Sequence, residues 1–312
     1  EVFQAGKKGN RMRVFEDKPM CFDNWDIDIF YTEKGWDVTE ISRMEWTANG
    51  PLFAELTIER AFMQSKMKQR IRFYAHDRRI DFDTWIDWHE HQNLLKVFMP
   101  VDVHTDEASF DIQFGNVVRK THTNTSWDQA RFESCGHKWA DVSEGDYGVS
   151  VLNDCKYGHS VHKGEIALTL IKSGIEPNSN TDNEEHVFTY SLYPHAGSWK
   201  EGGTQAEATA LNQPLTAVCG GEAGSSFSFV SVNHDNVILE TVKRAEDGDG
   251  VILRVIEEQN KRTNAVLTLG HTVKSAEDCD LMENKTGDVT VEGNTVSFTI
   301  HPYEIKTIRV RF

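Results

Sequence analysis

Long apolar runs, paired cysteines and an excess of positive charge are all missing from this sequence. No apolar stretch among its 312 residues approaches the roughly 18 to 20 residues that a membrane helix needs, so we expect no membrane partner. The formal net charge is −16. Because such a field repels phosphate backbones, the composition also argues against nucleic acid as a partner.

The five cysteines are odd in number and scattered, and no two of them form a CxxC pair. This usage argues against a disulfide scaffold or a structural zinc knuckle and favours a reducing compartment. We therefore expect a cytoplasmic protein. The chain opens at Glu1 without a starting Met or a signal-type apolar stretch, which suggests a piece cut from a longer polypeptide.

Familiar catalytic motifs are also missing, including the nucleophile elbow, the phosphate loop, the HExxH helix and the dinucleotide fingerprint. By chemistry alone, the chain contains no complete active site. What it does contain is eight Trp, seven Tyr and thirteen His residues. These fit a surface that handles neutral polar ligands such as sugars, and they fit a β-rich core equally well.

Helical periodicity is nearly absent, whereas alternation with a period of two residues recurs along the chain. The clearest case is residues 79–88, where Ile80, Phe82, Ile86 and Trp88 share one face and aspartates occupy the other. Many antiparallel strands at short spacing predict an all-β fold of stacked sheets. Further strands are predicted at 53–62, 66–74, 94–103, 108–114, 147–152, 165–171, 186–193, 227–232, 236–244, 251–257, 264–269, 278–283, 295–300 and 304–312.

The composition changes near residue 200, and this change predicts a boundary between two domains. A Gly- and Ala-containing stretch with weak strand character indicates a connection at 201–224, within which Pro214-Leu215 is a candidate strand start. The connection separates a large β-sandwich at 1–200 from a small C-terminal β-sandwich at 225–312. In the small sandwich, Asp247-Gly-Asp-Gly250 and Glu292-Gly-Asn294 are predicted to form hairpin loops.

His89 and His91 form an HxH pair at the predicted end of a strand, where alternation points both imidazoles to one side. Both would then lie within reach of one metal ion, although the spacing nominates no further ligand. A hydrogen-bonded or exposed pair explains the same residues.

Residues 22–28 place carboxylates beside an aromatic ring. Glycosidases commonly use two carboxyl groups that flank the sugar, and Asp26 and Asp28 would share a face if this segment were a strand. Trp25 would then be available to stack on a pyranose ring. The alternative, which we favour, is a turn whose Asp and Asn side chains bond their own backbone.

Three stretches combine polar, aromatic and glycine residues, namely 124–128, 139–148 and 152–158. Loops of this kind between strands are where binding groups usually lie. The last stretch collects an amide, a carboxylate, an ammonium and a phenol at one strand end, on Asn153, Asp154, Lys156 and Tyr157. A surface hairpin would use the same residues, so composition leaves both interpretations open.

Several long motifs resemble those of family 38 α-mannosidases, most closely the bacterial and cytosolic-type branch. Residues 17–28, with their Asp-Lys-Pro and Asp-Asn-Trp-Asp-Ile elements, are similar to the "EDKPxxxDAWDI" segment of that family. Further similar motifs follow in order as far as the chain end, at 124–128, 145–148, 152–158, 188–195 and 302–307.

The resemblance implies a retaining, exo-acting enzyme that cleaves terminal α-linked mannose, using a zinc ion, an Asp nucleophile and an Asp acid/base. In the family those groups lie in the N-terminal part, and none of their motifs occurs here. The chain is thus expected to be a structural and substrate-framing C-terminal portion, without catalytic residues, metal or cofactor of its own. Its expected partners are the zinc-carrying N-terminal catalytic domain of the same polypeptide, mannose-containing glycans and, in a homo-oligomer, further copies of the chain.

The family's C-terminal β region is a mutarotase-like supersandwich followed by smaller β modules, and it lends a loop to the edge of the substrate site. The family also has strands upstream of the position matching Glu1, so we expect the large sandwich to be incomplete at its N-terminus. On this basis the substrate-binding candidates are Asn153, Asp154, Lys156 and Tyr157, followed by Trp25, Asp26 and Trp127.

Two other functions remain open. A stand-alone sugar mutarotase or epimerase would need a His acid and a Glu base, for which His89, Glu90 and His91 are the candidates. A non-catalytic carbohydrate-binding or assembly module would bind mannosides without turning them over.

Overall fold

Antiparallel strands make up most of the regular structure in the computed structural model, which describes residues 1–221, 224 and 226–312. The chain divides into two units. Unit 1 comprises Glu1–Ile112 and Val117–Leu215, and unit 2 comprises Gln113–Asn116 and Thr216–Phe312. The predicted start of the small sandwich at residue 225 lies outside the described residues.

The first group of strands runs from the N-terminus to residue 196. In chain order they are β1 (Arg11–Glu16), β2 (Gly35–Asp37), β3 (Arg43–Asn49), β4 (Phe53–Phe62), β5 (Ser65–Tyr74), β6 (Ile80–Asp87), β7 (Asn93–Pro100), β8 (Glu107–Ile112), β9 (Gly115–Lys120), β10 (Ser134–Cys135), β11 (Trp139–Ser143), β12 (Tyr147–Asn153), β13 (Gly158–His162), β14 (Glu165–Ser173) and β15 (Glu185–Ala196). The helical segments are a 3₁₀ helix (Ile29–Glu33), α1 (Ser126–Gln129), α2 (Trp199–Gly202) and α3 (Thr204–Asn212).

The strands β1 to β15 form two antiparallel sheets. One has nine strands in the order β3-β4-β5-β6-β15-β12-β11-β8-β9, and the other has six in the order β10-β13-β14-β7-β1-β2. Alternate residues of both sheets enter one apolar core, for example Val97 and Ile166 from the six-stranded sheet and Ile86 and Phe188 from the nine-stranded sheet. The sheets are therefore the two layers of a large sandwich, as predicted.

Alternation along single strands explains why these residues form sheets. In β5, Met67 and Ile71 are buried, while the alternating residues Lys66, Lys68 and Arg70 are exposed. A pleated strand points successive side chains to opposite faces, so this pattern buries the apolar set and leaves the cations in water. In β6 the predicted apolar face is confirmed, since Phe82, Ile86 and the following Trp88 are all buried.

In the residues that the structure describes, unit 2 is a smaller sandwich of nine strands. They are β16 (Val230–Val232), β17 (Val237–Arg244), β18 (Val251–Glu257), β19 (Thr263–Leu269), β20 (Ser275–Cys279), β21 (Lys285–Asp288), β22 (Thr290–Glu292), β23 (Thr295–Ile300) and β24 (Ile305–Arg311). Their sheet orders are β16-β19-β23-β22 and β17-β18-β24-β20-β21. A separate core includes Leu253, Leu267, Val296 and Ile308.

Both predicted hairpin loops of unit 2 are confirmed. Residues 245–250 join the antiparallel strands β17 and β18, and residues 293–294 join β22 and β23. Gly248 has a φ of 79° and Gly293 a φ of 60°, a backbone region in which a side chain is strained. The glycines at these two positions are therefore required by the turns.

Two local predictions are wrong. No strand begins at Pro214-Leu215, and the predicted connection contains the helix α3 at residues 204–212 instead. The strand predicted at 278–283 is β20, which ends at Cys279. It ends there because the Asp280 side chain accepts hydrogen bonds from the backbone N–H groups of Met282 and Asn284, which closes a turn.

All five cysteines are free thiols, four of them exposed and Cys279 buried. Within the described ranges, no helix is long and apolar enough to cross a membrane.

Candidate functional site

The loop that follows β12 is held in shape by Asn153, one of the predicted binding residues. The Asn153 side chain donates to the carbonyl of His137 at 2.8 Å and accepts from the backbone N–H groups of Cys155 at 3.1 Å and Lys156 at 2.6 Å. The residue is 1% exposed. Because its amide is occupied by backbone partners, Asn153 can position the loop, while its neighbours are the ones that face solvent.

Lys156 and Tyr157 present the loop's binding chemistry. The Nζ atom of Lys156 lies 4.2 Å from the centre of the buried Phe188 ring. Burial lowers the pKa of Lys156, and the carboxylate of Asp154 partly opposes that shift. Tyr157 is exposed and packs edge-on against the ring of His137, with 5.1 Å between ring centres. An ammonium and a phenol in the same loop are both able to hydrogen-bond sugar hydroxyl groups.

Asp154 and Cys155, the other two loop residues, have different roles. A carboxylate oxygen of Asp154 accepts from the backbone N–H of Thr189 at 2.9 Å, which ties the loop to β15. Burial raises the pKa of the Cys155 thiol to about 11. Since only the thiolate is a good nucleophile, Cys155 stays protonated and unreactive near neutral pH. The loop therefore has groups that can bind a ligand but no activated nucleophile.

The imidazole of His159 contacts the backbone of Tyr157. His159 is fully buried, and its Nδ1 lies 3.2 Å from the carbonyl oxygen of Tyr157. Burial lowers the pKa of His159 to about 4, so the ring is neutral at physiological pH. Sequence reasoning missed this residue because nothing in its spacing distinguishes it from the other histidines.

Replacing Asn153 by alanine is expected to lower the free energy of unfolding of unit 1 by about 1–3 kcal/mol, because buried backbone groups lose their partners. Hydrogen exchange should quicken at the amides of Cys155 and Lys156, which donate to the Asn153 oxygen. Asn153→Asp retains that oxygen and serves as the matched control. Equal protection of both amides in Asn153→Ala would contradict the anchoring role.

The segment of Trp25 and Asp26 is a turn, as we favoured, and not a strand. The Asp26 carboxylate accepts from the backbone N–H of Ile27 at 2.9 Å, and Asp28 accepts from that of Met20 at 3.2 Å. Trp25 is 75% exposed and stacks on Phe22 with 5.4 Å between ring centres. Trp25 is thus available to a ligand, whereas the carboxylate pair does not have the shared strand face that the glycosidase interpretation requires.

Trp127 lies on α1, a single helical turn. Thr125 caps this turn through a reciprocal pair of hydrogen bonds with Asp128, which fixes the backbone beneath the indole. Trp127 itself is 77% exposed. In the described chain, no hydrogen bond, ion pair or ring contact joins the Asn153–Tyr157 loop, the turn of Trp25 and Asp26, and Trp127 to one another.

The pair of His89 and His91 is not part of a metal centre in the described residues. His89 Nε2 lies 2.8 Å from the Asp87 carboxylate. Between the two histidines, the buried carboxylate of Glu90 accepts from Ser65 Oγ at 2.7 Å and from the backbone N–H of Gln64 at 2.8 Å. Across the described residues, no group of three or more His, Cys, Asp and Glu side chains could hold a metal ion. The geometry therefore favours the hydrogen-bonded interpretation, and Glu90 is engaged in structural bonds rather than poised as a base.

Comparison with known proteins identifies the family. Residues 1–180 match the model of the glycosyl hydrolases family 38 C-terminal domain, and residues 236–308 match that of the family 38 C-terminal beta sandwich domain. Two curated relatives are alpha-mannosidase G of Dictyostelium discoideum and human alpha-mannosidase 2C1. They are 36% and 34% identical to this chain, and each match covers 99% of it.

The fold is also shared with a solved structure, an alpha-mannosidase from Enterococcus faecalis V583. The TM-score is 0.78 at 15% identity, and the match covers 97% of this chain and 38% of that one. The curated relatives are much longer, since this chain spans only 29% and 30% of their lengths. Two family models cover most of the sequence in order, and we conclude that the chain belongs to glycosyl hydrolase family 38, as a C-terminal region of that family.

Proposed function

We propose that this chain is the structural and substrate-framing C-terminal portion of a retaining, exo-acting α-mannosidase that hydrolyses terminal α-linked mannose in glycans. The observation that carries the proposal is the pair of C-terminal family models matched in order along the chain. The relatives bear the name alpha-mannosidase, and about 70% of their length lies outside the match. We assign the catalytic groups to that remaining part, so this chain alone is proposed to be inactive.

Zinc chemistry is assigned to the same remaining part of the polypeptide. In the part of this chain that the structure describes, the His, Cys, Asp and Glu side chains do not group into a site that fits a metal. No step of the reaction is therefore derived through zinc in this chain. The contribution proposed for these residues is to bind and orient the substrate.

The loop at Asn153–Tyr157 is the proposed contact with the substrate. Asn153 and Asp154 fix the loop backbone, and Lys156 and Tyr157 offer hydrogen-bonding groups from that rigid base. Binding groups on a fixed backbone lose little conformational entropy when a ligand arrives. Trp25 and Trp127 are proposed as secondary sugar contacts because their exposed rings can stack on pyranose faces.

The proposed partners follow from the same assignment. They are the N-terminal catalytic domain of the same polypeptide and mannose-containing glycans, with self-association into a homo-oligomer as a further proposal. The five free thiols are in keeping with a reducing compartment, so we propose a cytoplasmic location.

Hydrolysis of an aryl α-mannoside, with zinc supplied, tests whether the catalytic groups lie outside this chain. This chain is compared with a polypeptide extended through its native upstream coding region. Activity is expected only in the longer polypeptide. Turnover by this chain alone would overturn the proposal, as would the lack of turnover by a folded longer polypeptide.

Replacing Lys156 or Tyr157 by alanine in the longer polypeptide is expected to raise KM or lower kcat. The magnitude is about three- to thirtyfold in kcat/KM, the worth of one or two hydrogen bonds. Lys66→Ala is the matched control, because Lys66 is an exposed lysine of β5. Unchanged kinetics in both loop variants would rule out the loop as a substrate contact.

A further inference from the structure

A cavity of about 340 Å³ lies on the outer face of the six-stranded sheet, and none of residues 153–157 lines it. Its floor includes Phe15 of β1 and Phe98 of β7. Alternation places these rings opposite Val14 and Val97, which enter the sandwich core. Residues of β13, β14, the 3₁₀ helix and the segment 123–132 form the rest of the lining. The cavity is therefore built from segments distant in sequence, on a rigid sheet.

Four neighbouring aromatic rings line the floor and wall of this cavity. The ring of Phe15 meets Tyr31 edge-on with 5.2 Å between centres, and it lies 6.0 Å from Phe98. Tyr31 in turn lies 6.4 Å from Phe132. Aromatic walls with a few polar groups are typical of sites for small organic ligands, and the volume is at the small end of the usual range of roughly 300–1,000 Å³.

A buried ionic cluster fixes two of the lining residues. Lys96 is fully buried, contacts the Glu133 carboxylate, and donates to Ser160 Oγ at 2.9 Å and to the Tyr31 hydroxyl at 3.3 Å. The Tyr31 hydroxyl donates to Glu133 at 2.6 Å. The other carboxylate oxygen of Glu133 is buried and has no hydrogen-bond partner. Tyr31 and Ser160 are thus held in place before any ligand arrives.

The cations around the cavity are already paired with carboxylates. Arg13 lies 2.9 Å from Asp37, and Arg11 lies 3.1 Å from Glu165. A charged ligand of either sign would have to displace one of these ion pairs or leave its own charge without a partner. Both are energetically costly in a partly buried site. The charge balance therefore favours a neutral ligand.

The ring faces also disfavour a cationic ligand. The guanidinium of Arg13 lies over the Phe15 ring at 4.9 Å, and that of Arg11 lies over Phe98 at 5.0 Å. These cations already occupy the electron-rich faces that a ligand cation would need. A ligand can therefore contact the uncovered ring surface, which is apolar, and polar groups that are neutral or already paired.

From these contacts we infer that the cavity binds a single neutral pyranose unit. Its apolar C–H face packs on the ring of Phe132, and its hydroxyl groups bond to Ser160, His162, Glu165 and Gln129. Only the identification of that unit as part of a mannoside rests on the proposed function. A larger groove of about 630 Å³ in unit 2 has Phe298 as its single aromatic lining residue, so it has little ring surface on which a sugar can stack.

Titration of this chain with methyl α-D-mannopyranoside, followed by ligand-observed NMR, tests the inference. Methyl α-D-glucopyranoside is the second neutral probe, and mannose 6-phosphate and mannosamine are the charged ones. We expect both neutral probes to bind and the charged ones to bind at least about tenfold more weakly. No binding of the neutral probes, or tighter binding of a charged one, would overturn the inference.

Two variants locate the binding. Thr123→Trp places a bulky ring on an exposed residue of the lining and should abolish binding at the cavity without disturbing the core. Phe132→Ala should weaken binding at the cavity about three- to tenfold through loss of ring contact. Lys66→Ala, at an exposed position of β5 outside the lining, should have no effect. Unchanged pyranoside binding in a folded Thr123→Trp variant would sink the cavity assignment.

The two proposals can fail separately. Pyranoside binding at the cavity without α-mannosidase activity in the longer polypeptide would leave this inference intact and remove the proposed enzyme function. Activity without cavity binding would remove only this inference.

Discussion

Replacing Lys96 by methionine is expected to lower the free energy of unfolding of unit 1 by about 3–5 kcal/mol. The lysine side chain is fully buried, and its contact with Glu133 is the charge pair of the cluster. Burial lowers the pKa of Lys96, and the Glu133 carboxylate opposes that shift. Methionine fills a similar volume but leaves the carboxylate, only 11% exposed, without its cation. The unpaired charge, more than lost packing, produces the expected cost.

Urea unfolding followed by tryptophan fluorescence measures this effect in unit 1 alone, because all eight tryptophans lie between residues 25 and 199. The double variant Lys96→Met with Glu133→Gln should be more stable than Lys96→Met, since no charge is left unpaired. Lys66→Met, at an exposed position of β5, should change stability by less than about 0.5 kcal/mol. A Lys96→Met variant as stable as the parent chain would show that the buried pair contributes nothing.

Acid is expected to destabilise unit 1 through His159 by about 3 kcal/mol between pH 7 and pH 4. Burial lowers the pKa of this imidazole from 6.5 to about 4 in the folded protein. As the pH falls below 6.5 the unfolded chain takes up a proton, while the folded chain stays neutral until about pH 4. The contribution is therefore fully present above about pH 7 and is lost on the way down to about pH 4, at roughly 1.4 kcal/mol per pKa unit.

The comparison of His159→Gln with the parent chain isolates this contribution from that of the carboxylates. Glutamine can still donate to the Tyr157 carbonyl but does not titrate. We expect the stability of His159→Gln to fall less steeply between pH 7 and pH 4 in the same fluorescence assay. His76→Gln, an exposed histidine, is the control. Parallel pH profiles for His159→Gln and the parent chain would exclude His159 as a source of acid sensitivity.

The strands with clear alternation were predictable from sequence because each carries its own signal. Residues 53–62 match β4 in full, and residues 66–74 match β5 except for its first residue. Strand β3 was missed, because nearly all of its residues are exposed and its apolar members Met44 and Trp46 show no buried face. Its place is set by hairpin pairing with β4, which the burial pattern of β3 itself does not record.

The candidate site shows the same limit. Sequence motifs led to the loop at 153–157 and to the aromatic residues Trp25 and Trp127, because these lie in contiguous, polar and aromatic stretches. They did not lead to Lys96, which stands within an apolar strand and looks like an interruption in it. Nor did they separate the anchoring role of Asn153 from the solvent-facing role of Tyr157 in the same loop.

The sequence by itself determined the all-β class, most strand positions and the resemblance to family 38, because alternation and contiguous motifs are properties of neighbouring residues. Only the tertiary structure decided which polar residues are buried and what they contact. Lys96, Glu133 and Ser160 come together from β7, from the residue before β10 and from β13. The free energy of such a cluster depends on desolvation and on partners far along the chain, and both arise only when the sheets have formed.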